Sequence, residues 1–219
     1  MSKSALDRLM FVKPNEIEAR SFEIIGNELD VDLDQEHELV IKRCIHTSAD
    51  FEYATNLCFS QHATNLGVQA LLDGASIVTD TKMAWSGINK RVLGRLGGQA
   101  YNFIADADVA AEAKERGLTR SAVSMERAAA LREPLIYAVG NAPTALVRIY
   151  ELLQAGEMPV KPALIVGAPV GFVNVVESKE LIMELDVPFI VARGRKGGSN
   201  IAAAICNALL YLASNNERE

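Results

Sequence analysis

The sequence predicts an α/β fold, in which one three-layer domain holds a mainly parallel sheet flanked by helices. From about residue 51 onward, short apolar segments alternate with longer segments of helical periodicity. The connections between them are short and rich in glycine, as expected of right-handed crossovers between parallel strands. Hydrophobic residues make up 49% of the chain and aromatic residues 6%. The 219 residues suffice for one core, so we expect a single domain over 1–219 without a linker or repeat.

The amino-terminal part predicts two helices. Over residues 14–29, Pro14 suits a first turn and Glu16 lies near the positive end of the helix dipole. Over residues 34–44, Asp34 is the expected N-cap. His46 then lies at the C-terminal end of the second helix, where the dipole favours a protonated imidazole.

The remainder alternates between strands and helices. The expected strands are 51–59, 77–79, 101–104, 135–139, 164–166 and 189–191. The expected helices are 62–72, 106–116, 121–131, 143–154, 175–185 and 199–212, with Ser121 as one N-cap. Since ligands of such folds bind at the carboxyl ends of the strands, the residues directly after each strand are the candidates for function.

Charge and cysteine content exclude several classes of protein. The net charge of −6 argues against a surface devoted to nucleic acid. Three cysteines are an odd number, which favours reduced thiols in a cytoplasmic protein over a disulfide framework. The first residues are too polar for a signal peptide, and no apolar run approaches the ~20 residues that span a membrane. Cys44 and His46 have no second metal-binding pair, so no metal is expected.

The strongest indication of a binding site is the segment Arg193-Gly-Arg-Lys-Gly-Gly-Ser-Asn200. It places Arg193, Arg195 and Lys196 between a strand and a helix start, where glycines expose backbone N–H groups to an anion. Ser199 or Asn200 is the expected cap of that helix. The spacing of a P-loop is absent, so a nucleoside triphosphate is not indicated. A solvated basic turn is the alternative reading.

A second basic group lies in a glycine-rich segment and comprises Lys82, Lys90, Arg91 and Arg95. Each of these alone is most simply a solvated residue, but both groups together could neutralise a ligand with several carboxylates. Asn141 and Thr144 follow the strand 135–139 at another helix start. Neither that turn nor Gly167-Ala-Pro-Val-Gly171 has the dinucleotide spacing, so a dinucleotide cofactor is not indicated.

His46 is the most obvious proton donor or acceptor. Histidine is the side chain whose unperturbed pKa lies nearest neutrality, and Arg43, Thr47, Ser48 and Asp50 surround it in the sequence. The alternative is that His46 merely closes a helix. His37 is expected on a helix surface, and His62, at a helix start, is a weaker candidate.

Five segments resemble the precorrin-8X methylmutase family, which includes the cobalt-precorrin-8 methylmutases of cobalamin biosynthesis. The resemblance extends from about residue 10 to 212, with the motifs in order. The segments are Arg20-Ser-Phe-Glu-Ile-Ile, Cys44-Ile-His-Thr-Ser-Ala-Asp-Phe, Gly140-Asn-Ala-Pro-Thr-Ala-Leu, Pro169-Val-Gly-Phe-Val-Asn-Val-Val-Glu-Ser-Lys-Glu and Gly194-Arg-Lys-Gly-Gly-Ser.

The resemblance implies a homodimeric isomerase that moves a methyl group between adjacent carbons of ring C of an anionic tetrapyrrole, without a cofactor. It implies His46 as the catalytic group, acting on the ring C nitrogen. With the basic clusters, it leads us to expect substrate contacts from Arg20, Ser21, Arg43, Thr47, Lys82, Arg91, Asn141, Thr144, Arg193, Arg195, Lys196 and Ser199. The alternatives are a corrinoid carrier without chemistry, and a Rossmann-like enzyme using S-adenosylmethionine or nicotinamide, suggested by the α/β rhythm alone.

Overall fold

The computed structural model describes residues 4–215, with the side chain of Asp7 excluded. Its sheet has the strand order β1-β6-β5-β4-β2-β3. β1 pairs antiparallel with β6, and the other neighbouring strands are parallel. The strands are β1 Leu57–Phe59, β2 Ser76–Thr79, β3 Ala100–Tyr101, β4 Leu135–Val139, β5 Leu164–Gly167 and β6 Phe189–Ala192.

The helices surround this sheet and connect its parallel strands. Within residues 4–215 the α-helices are α1 Ile17–Glu28, α2 Glu38–Ser48, α3 Tyr53–Asn56, α4 Ala63–Leu72, α5 Lys82–Gly87, α6 Lys90–Arg95, α7 Ala107–Arg116, α8 Arg120–Ala129, α9 Pro143–Gln154, α10 Val175–Met183 and α11 Ser199–Ala213. Two 3-10 helices, Leu6–Arg8 and Pro14–Glu16, precede α1. No helix of this part of the chain combines the length and apolar character that a membrane crossing requires.

The three predicted layers are confirmed by the packing on the two faces of the sheet. On one face α2 and α4 pack around the Ala-rich α11, and on the other α9 lies between α8 and α10. The sequence of β4 is apolar throughout because helices cover both faces of this strand. Ile136 contributes to the core on the α11 face and Tyr137 to the core on the α9 face, and all five residues of the strand are buried.

The structure corrects the prediction for residues 51–59. Tyr53–Asn56 form a helical turn, and the strand is confined to Leu57–Phe59. The chain must first reverse after α2, which it does at Ala49 with φ of 53°. A short turn can then position β1 antiparallel to β6, at the edge of the sheet. The expected strand at 101–104 is likewise limited to Ala100–Tyr101.

Helix starts were the least accurate part of the prediction. Asp34 precedes α2 by a turn and accepts a hydrogen bond from the Glu36 N–H, so it does not cap the helix. Thr119, and not Ser121, caps α8 by accepting from the Ala122 N–H. Gly198 occupies the N-cap position of α11, so the expected cap by Ser199 or Asn200 is not found. α5 and α6 were not predicted, because their basic, glycine-containing sequence favoured a loop.

The connections create a switch point at the carboxyl end of the sheet. From β2 the chain passes to β3 on one side, whereas from β4 it passes to β5 on the other side. The connections after these two neighbouring strands therefore diverge, and such a switch point is where ligands of open α/β sheets commonly bind.

Candidate active site

A buried carboxylate joins the two loops at this switch point. Asp80 follows β2 directly, has no exposed surface, and accepts hydrogen bonds from the backbone N–H groups of Gly140, Asn141 and Ala142 at 2.9, 2.8 and 2.7 Å. Burial raises the pKa of this carboxyl above its ordinary value, while the three N–H donors oppose that shift by stabilising the charged form. Asp80 thus fixes the loop after β4 against the end of β2.

The start of α11 packs directly against these two loops. A Cβ added at Gly140 would lie 2.6 Å from the Ser199 Cα, so only glycine allows this approach of two backbones. The Ser199 hydroxyl lies 2.7 Å from that of Thr81, which follows Asp80. Ser199 is buried, so these two hydroxyls join the loop after β2 to the helix start.

The basic segment after β6 is held by a second buried charge. The ammonium of Lys179, on α10, donates to the carbonyls of Gly194 and Lys196 at 2.7 and 2.8 Å. The Gly198 N–H donates to the Ala168 carbonyl at 2.8 Å, and the Gly171 N–H to the Arg195 carbonyl at 3.2 Å. The loops after β5 and β6 consequently form one cross-linked unit.

Lys196 joins this unit to the turn after α2. Its ammonium lies 2.6 Å from Asp50 and 3.0 Å from Glu52. The Lys196 hydrogen bond lowers the pKa of the Asp50 carboxyl below its ordinary value. Because Lys196 already holds two carboxylates, its geometry favours an ordering role over the anion-binding role that the sequence suggested.

His46 occupies the last turn of α2, at this same end of the sheet. Its side chain is exposed, with the ring edge-on to Phe22 at a centroid distance of 5.8 Å. It lines a mostly apolar groove of about 230 Å³ between α1 and α2, together with Ser21, Ile24 and Phe51. Within the described chain, neither ring nitrogen has a hydrogen-bond partner. The neighbouring Ser48 bonds the Cys44 carbonyl instead. The imidazole can therefore meet a ligand.

Three predicted contacts on α1 and α2 differ in their availability. Arg20 pairs with Glu23 at 2.6 Å and lines an adjacent groove of about 550 Å³. Ser21 donates to the Ile17 carbonyl while facing the groove of His46. Arg43 is buried, pairs with Glu18 at 2.6 Å, and packs its guanidinium over the Phe22 and Tyr211 rings. Its geometry favours bracing α1 and α11 against α2 over contact with a ligand.

The other predicted ligand residues are exposed on several elements. Arg193 and Arg195 extend from the loop after β6, with the Arg195 guanidinium 5.5 Å from the centroid of the Phe172 ring. Lys82 begins α5, and Arg91 lies on α6. Asn141, Thr144 and Thr47 are also exposed, and the Thr144 hydroxyl lies 2.8 Å from that of Thr119.

Sequence reasoning missed two features of this end of the sheet. Arg120, exposed at the first position of α8, is brought beside the start of α9 by the Thr119–Thr144 contact. The segment after β5 also exposes Val170, Phe172 and Val173, at 47%, 82% and 77%. The sequence feature that could have identified Arg120 is its position directly after Thr119, a threonine that caps a helix. The apolar segment could not be separated from core residues by sequence alone, because both have the same composition.

The remaining histidines and cysteines lie elsewhere. The expectation of a surface position for His37 is corrected, because it stacks on Phe59 at a centroid distance of 3.9 Å and bonds Thr64. His62 is exposed and lies 3.4 Å from Glu36. Cys44, Cys58 and Cys206 are free. Among residues 4–215, no three His, Cys, Asp or Glu side chains converge as metal ligands do.

The fold and this edge define a class of protein: an α/β protein whose loops at the carboxyl edge of the sheet expose apolar and cationic side chains, with the accessible imidazole of His46 in a groove beside them. Residues 16–212 match the family described as precorrin-8X methylmutase. The chain belongs to this family.

Curated relatives and a solved structure support the same family. The cobalt-precorrin-8 methylmutase of Priestia megaterium is 42% identical over 203 residues, which are 92% of this chain and 89% of the relative. That of Salmonella typhimurium is 44% identical over 206 residues, covering 91% and 95%. The crystal structure of a Thermus thermophilus precorrin-8x methyl mutase superimposes with a TM-score of 0.83 and 37% identity, covering 91% of this chain and 98% of the other. The chain is an isomerase, a methylmutase of cobalamin biosynthesis.

Proposed function

We propose that this isomerase moves a methyl group between adjacent carbons of ring C of precorrin-8 or cobalt-precorrin-8, giving hydrogenobyrinate or cobyrinate. The observation that carries the proposal is the accessible imidazole of His46, which lines an apolar groove next to the turn at Asp50 that Lys196 of the basic loop contacts. The names of the relatives support the substrate class. Such a substrate has broad apolar faces and a rim of carboxylates, which match the mixed character of this edge.

His46 acts as the proton donor, or hydrogen-bond donor, to the ring C nitrogen. Its place in the last turn of α2 puts the imidazole at the exposed end of that helix, where a ring nitrogen can reach a bound ligand. A proton delivered to the ring nitrogen withdraws electron density from the frame along which the methyl group migrates. One carbon–carbon bond breaks as another forms on the adjacent carbon, so the rearrangement consumes no external nucleophile or reductant. General acid catalysis of this kind contributes roughly 10²–10⁴-fold.

The exposed cations bind the carboxylates of the substrate. Arg193, Arg195, Lys82 and Arg120 are the best placed, because each is exposed in a loop or at a helix start at the carboxyl edge of the sheet and has no carboxylate partner within residues 4–215. Arg20, Ser21, Thr47, Arg91, Asn141, Thr144 and Ser199 stay predicted contacts. Arg43 and Lys196 support the site through their own ion pairs.

Replacement of His46 tests the mechanism. His46→Ala should reduce turnover by roughly 10²–10⁴-fold while the protein still binds hydrogenobyrinate. His62→Ala is the matched control, since His62 is exposed near the opposite end of α2 and should retain full activity. His46→Gln keeps a neutral N–H donor, so partial activity in that variant would indicate hydrogen bonding without full protonation.

A fully active His46→Ala protein refutes the proposed role of the imidazole. The carrier alternative makes a different prediction for the wild type, namely that the spectrum of the bound tetrapyrrole does not change after incubation. Binding of S-adenosylmethionine or a nicotinamide cofactor in calorimetry would favour the third alternative.

The protein functions as a homodimer in this proposal. The segment before α1 exposes Leu6, Leu9 and Met10 at 76%, 69% and 63%, which is typical of a surface covered by another chain. Sedimentation of the wild type should give twice the monomer mass, and a monomer at micromolar concentration would contradict this part. The cytoplasmic location expected from the cysteines stays a prediction.

A further inference from the structure

Lys179 is an unusual residue because its side chain has no exposed surface and no carboxylate partner in the described chain. Taking an ammonium out of water is costly, and buried lysines normally pair with an acid. Here both hydrogen bonds go to backbone carbonyls of the loop after β6. The cost of burial is thus offset by contacts with one loop, which points to a role in ordering that loop.

The two carbonyls belong to the residues on either side of Arg195. They are those of Gly194, at φ of 78°, and Lys196. Backbone bonds fix the ends of the segment, since the Arg193 N–H donates to Asn56 and the Gly198 N–H to Ala168. Among residues 4–215, no backbone N–H is shown to reach either carbonyl that Lys179 binds. In the middle of the loop, these two bonds from Lys179 act together with the one that the Gly171 N–H donates to the Arg195 carbonyl, and Lys179 is the side chain that holds the backbone on both sides of Arg195.

We infer that Lys179 is a positioning residue for substrate recognition, whose buried amine fixes the loop after β6 so that Arg193 and Arg195 face the carboxylates of the substrate. The inference rests on the proposed function for the identity of the ligand. Lys179 itself contacts neither ligand nor reacting atoms, because it lies beneath the loop and is fully covered.

The loop after β6 also contacts the turn after α2, the helix that carries His46. Lys196, whose carbonyl Lys179 holds, reaches Asp50 with its own ammonium, and Asp50 follows α2 by two residues. A displaced loop would loosen this ion pair as well. Because the pair is partly exposed, we expect this second effect to be smaller than the loss of carboxylate binding.

The two hydrogen bonds from Lys179 to the loop do not require the charge of its side chain. Burial lowers the pKa of its ammonium to about 8, and a neutral amine keeps two N–H groups, which equals the number of carbonyls bound. The two hydrogen bonds can consequently persist both below this pKa, where Lys179 is charged, and above it, where Lys179 is neutral.

A double-mutant cycle tests the inference. Lys179→Met keeps the length of the side chain but removes every donor, and should raise KM and the Kd for hydrogenobyrinate about tenfold, with kcat changed less than about twofold. In an Arg193→Ala/Arg195→Ala background, the same substitution should change Kd less than about twofold, since its effect passes through those arginines. Lys161→Met, at an exposed position before β5, is the control in both backgrounds.

Equal losses of affinity in the two backgrounds would overturn the inference, as would an unchanged Kd in Lys179→Met. If Lys179→Met does not fold, Lys179→Gln, which retains two N–H donors on a shorter side chain, enters the same cycle. Failure of both variants to fold would assign Lys179 to folding and also overturn the inference. A wild type that neither binds nor converts the tetrapyrrole would instead refute the proposed function.

Discussion

Asp80→Asn is the substitution whose outcome the structure defines most closely. In the native protein one carboxylate oxygen accepts the N–H groups of Asn141 and Ala142, and the other accepts that of Gly140. The asparagine side chain has nearly the same shape but only one acceptor oxygen. Its NH₂ group must therefore face at least one backbone N–H, whichever way the amide is turned.

The expected loss follows from the bonds that remain. If the amide oxygen faces Asn141 and Ala142, the bond to Gly140 is lost, and a hydrogen bond to a charged group is worth about 1.5–3 kcal/mol. The two retained bonds become weaker because their acceptor is neutral. The smaller desolvation cost of a neutral side chain offsets part of this loss. We expect the free energy of unfolding to fall by about 2 kcal/mol.

Urea unfolding at pH 7 measures this difference, with Asp73→Asn as the control. Asp73 is an exposed aspartate after α4, so its replacement should change stability by less than about 0.5 kcal/mol. Asp80→Asn should also weaken binding of hydrogenobyrinate, since the loop with Asn141 loses its anchor. A variant as stable as the wild type would show that Asp80 is not an ionised acceptor of three bonds, and would refute the reasoning.

Three further predictions concern stability. Because burial lowers the pKa of Lys179 to about 8, the unfolded chain binds more protons above that pH. Raising the pH from 7 to 10 should therefore stabilise the wild type by about 2 kcal/mol relative to Lys179→Met in urea titrations; parallel pH profiles would contradict this. Ala49→Gly should stabilise by about 1 kcal/mol, because Ala49 has φ of 53°; a lower Tm would argue against strain there. Gly140→Ala should cost about 1–3 kcal/mol and weaken product binding, since the added Cβ meets the backbone of Ser199; unchanged affinity would show that the start of α11 can move freely.

Much of the architecture could be predicted because it is encoded over short distances. The helix at 143–154 was predicted with the observed ends, since Pro143 marks its first turn and its apolar residues repeat with helical spacing. The strand at 135–139 was also predicted correctly, as a continuous apolar run between polar turns. The turn at Tyr53–Asn56 was not, because a short helix that closes a reversal carries no periodic signal.

The candidate site was predictable to a smaller extent. Taking the residues after each strand found the loops that meet at the carboxyl edge, and the histidine motif found the one imidazole beside them. What these rules could not show was which side chains are already engaged. Lys196 and Arg43 look like available cations in the sequence, yet each holds a carboxylate of the protein in the structure.

The sequence by itself determined the alternation of strands and helices, the family resemblance, and the positions of cations and histidine along the chain. Only the tertiary structure decided which charges are buried as anchors and which remain open to a ligand. The Lys196–Asp50 bond joins residues 146 apart, and the Thr81–Ser199 contact joins residues 118 apart. Such contacts depend on how the loops of neighbouring strands pack. A local pattern records the burial of a residue within its own helix or strand but contains no information about a partner brought to it from a distant segment.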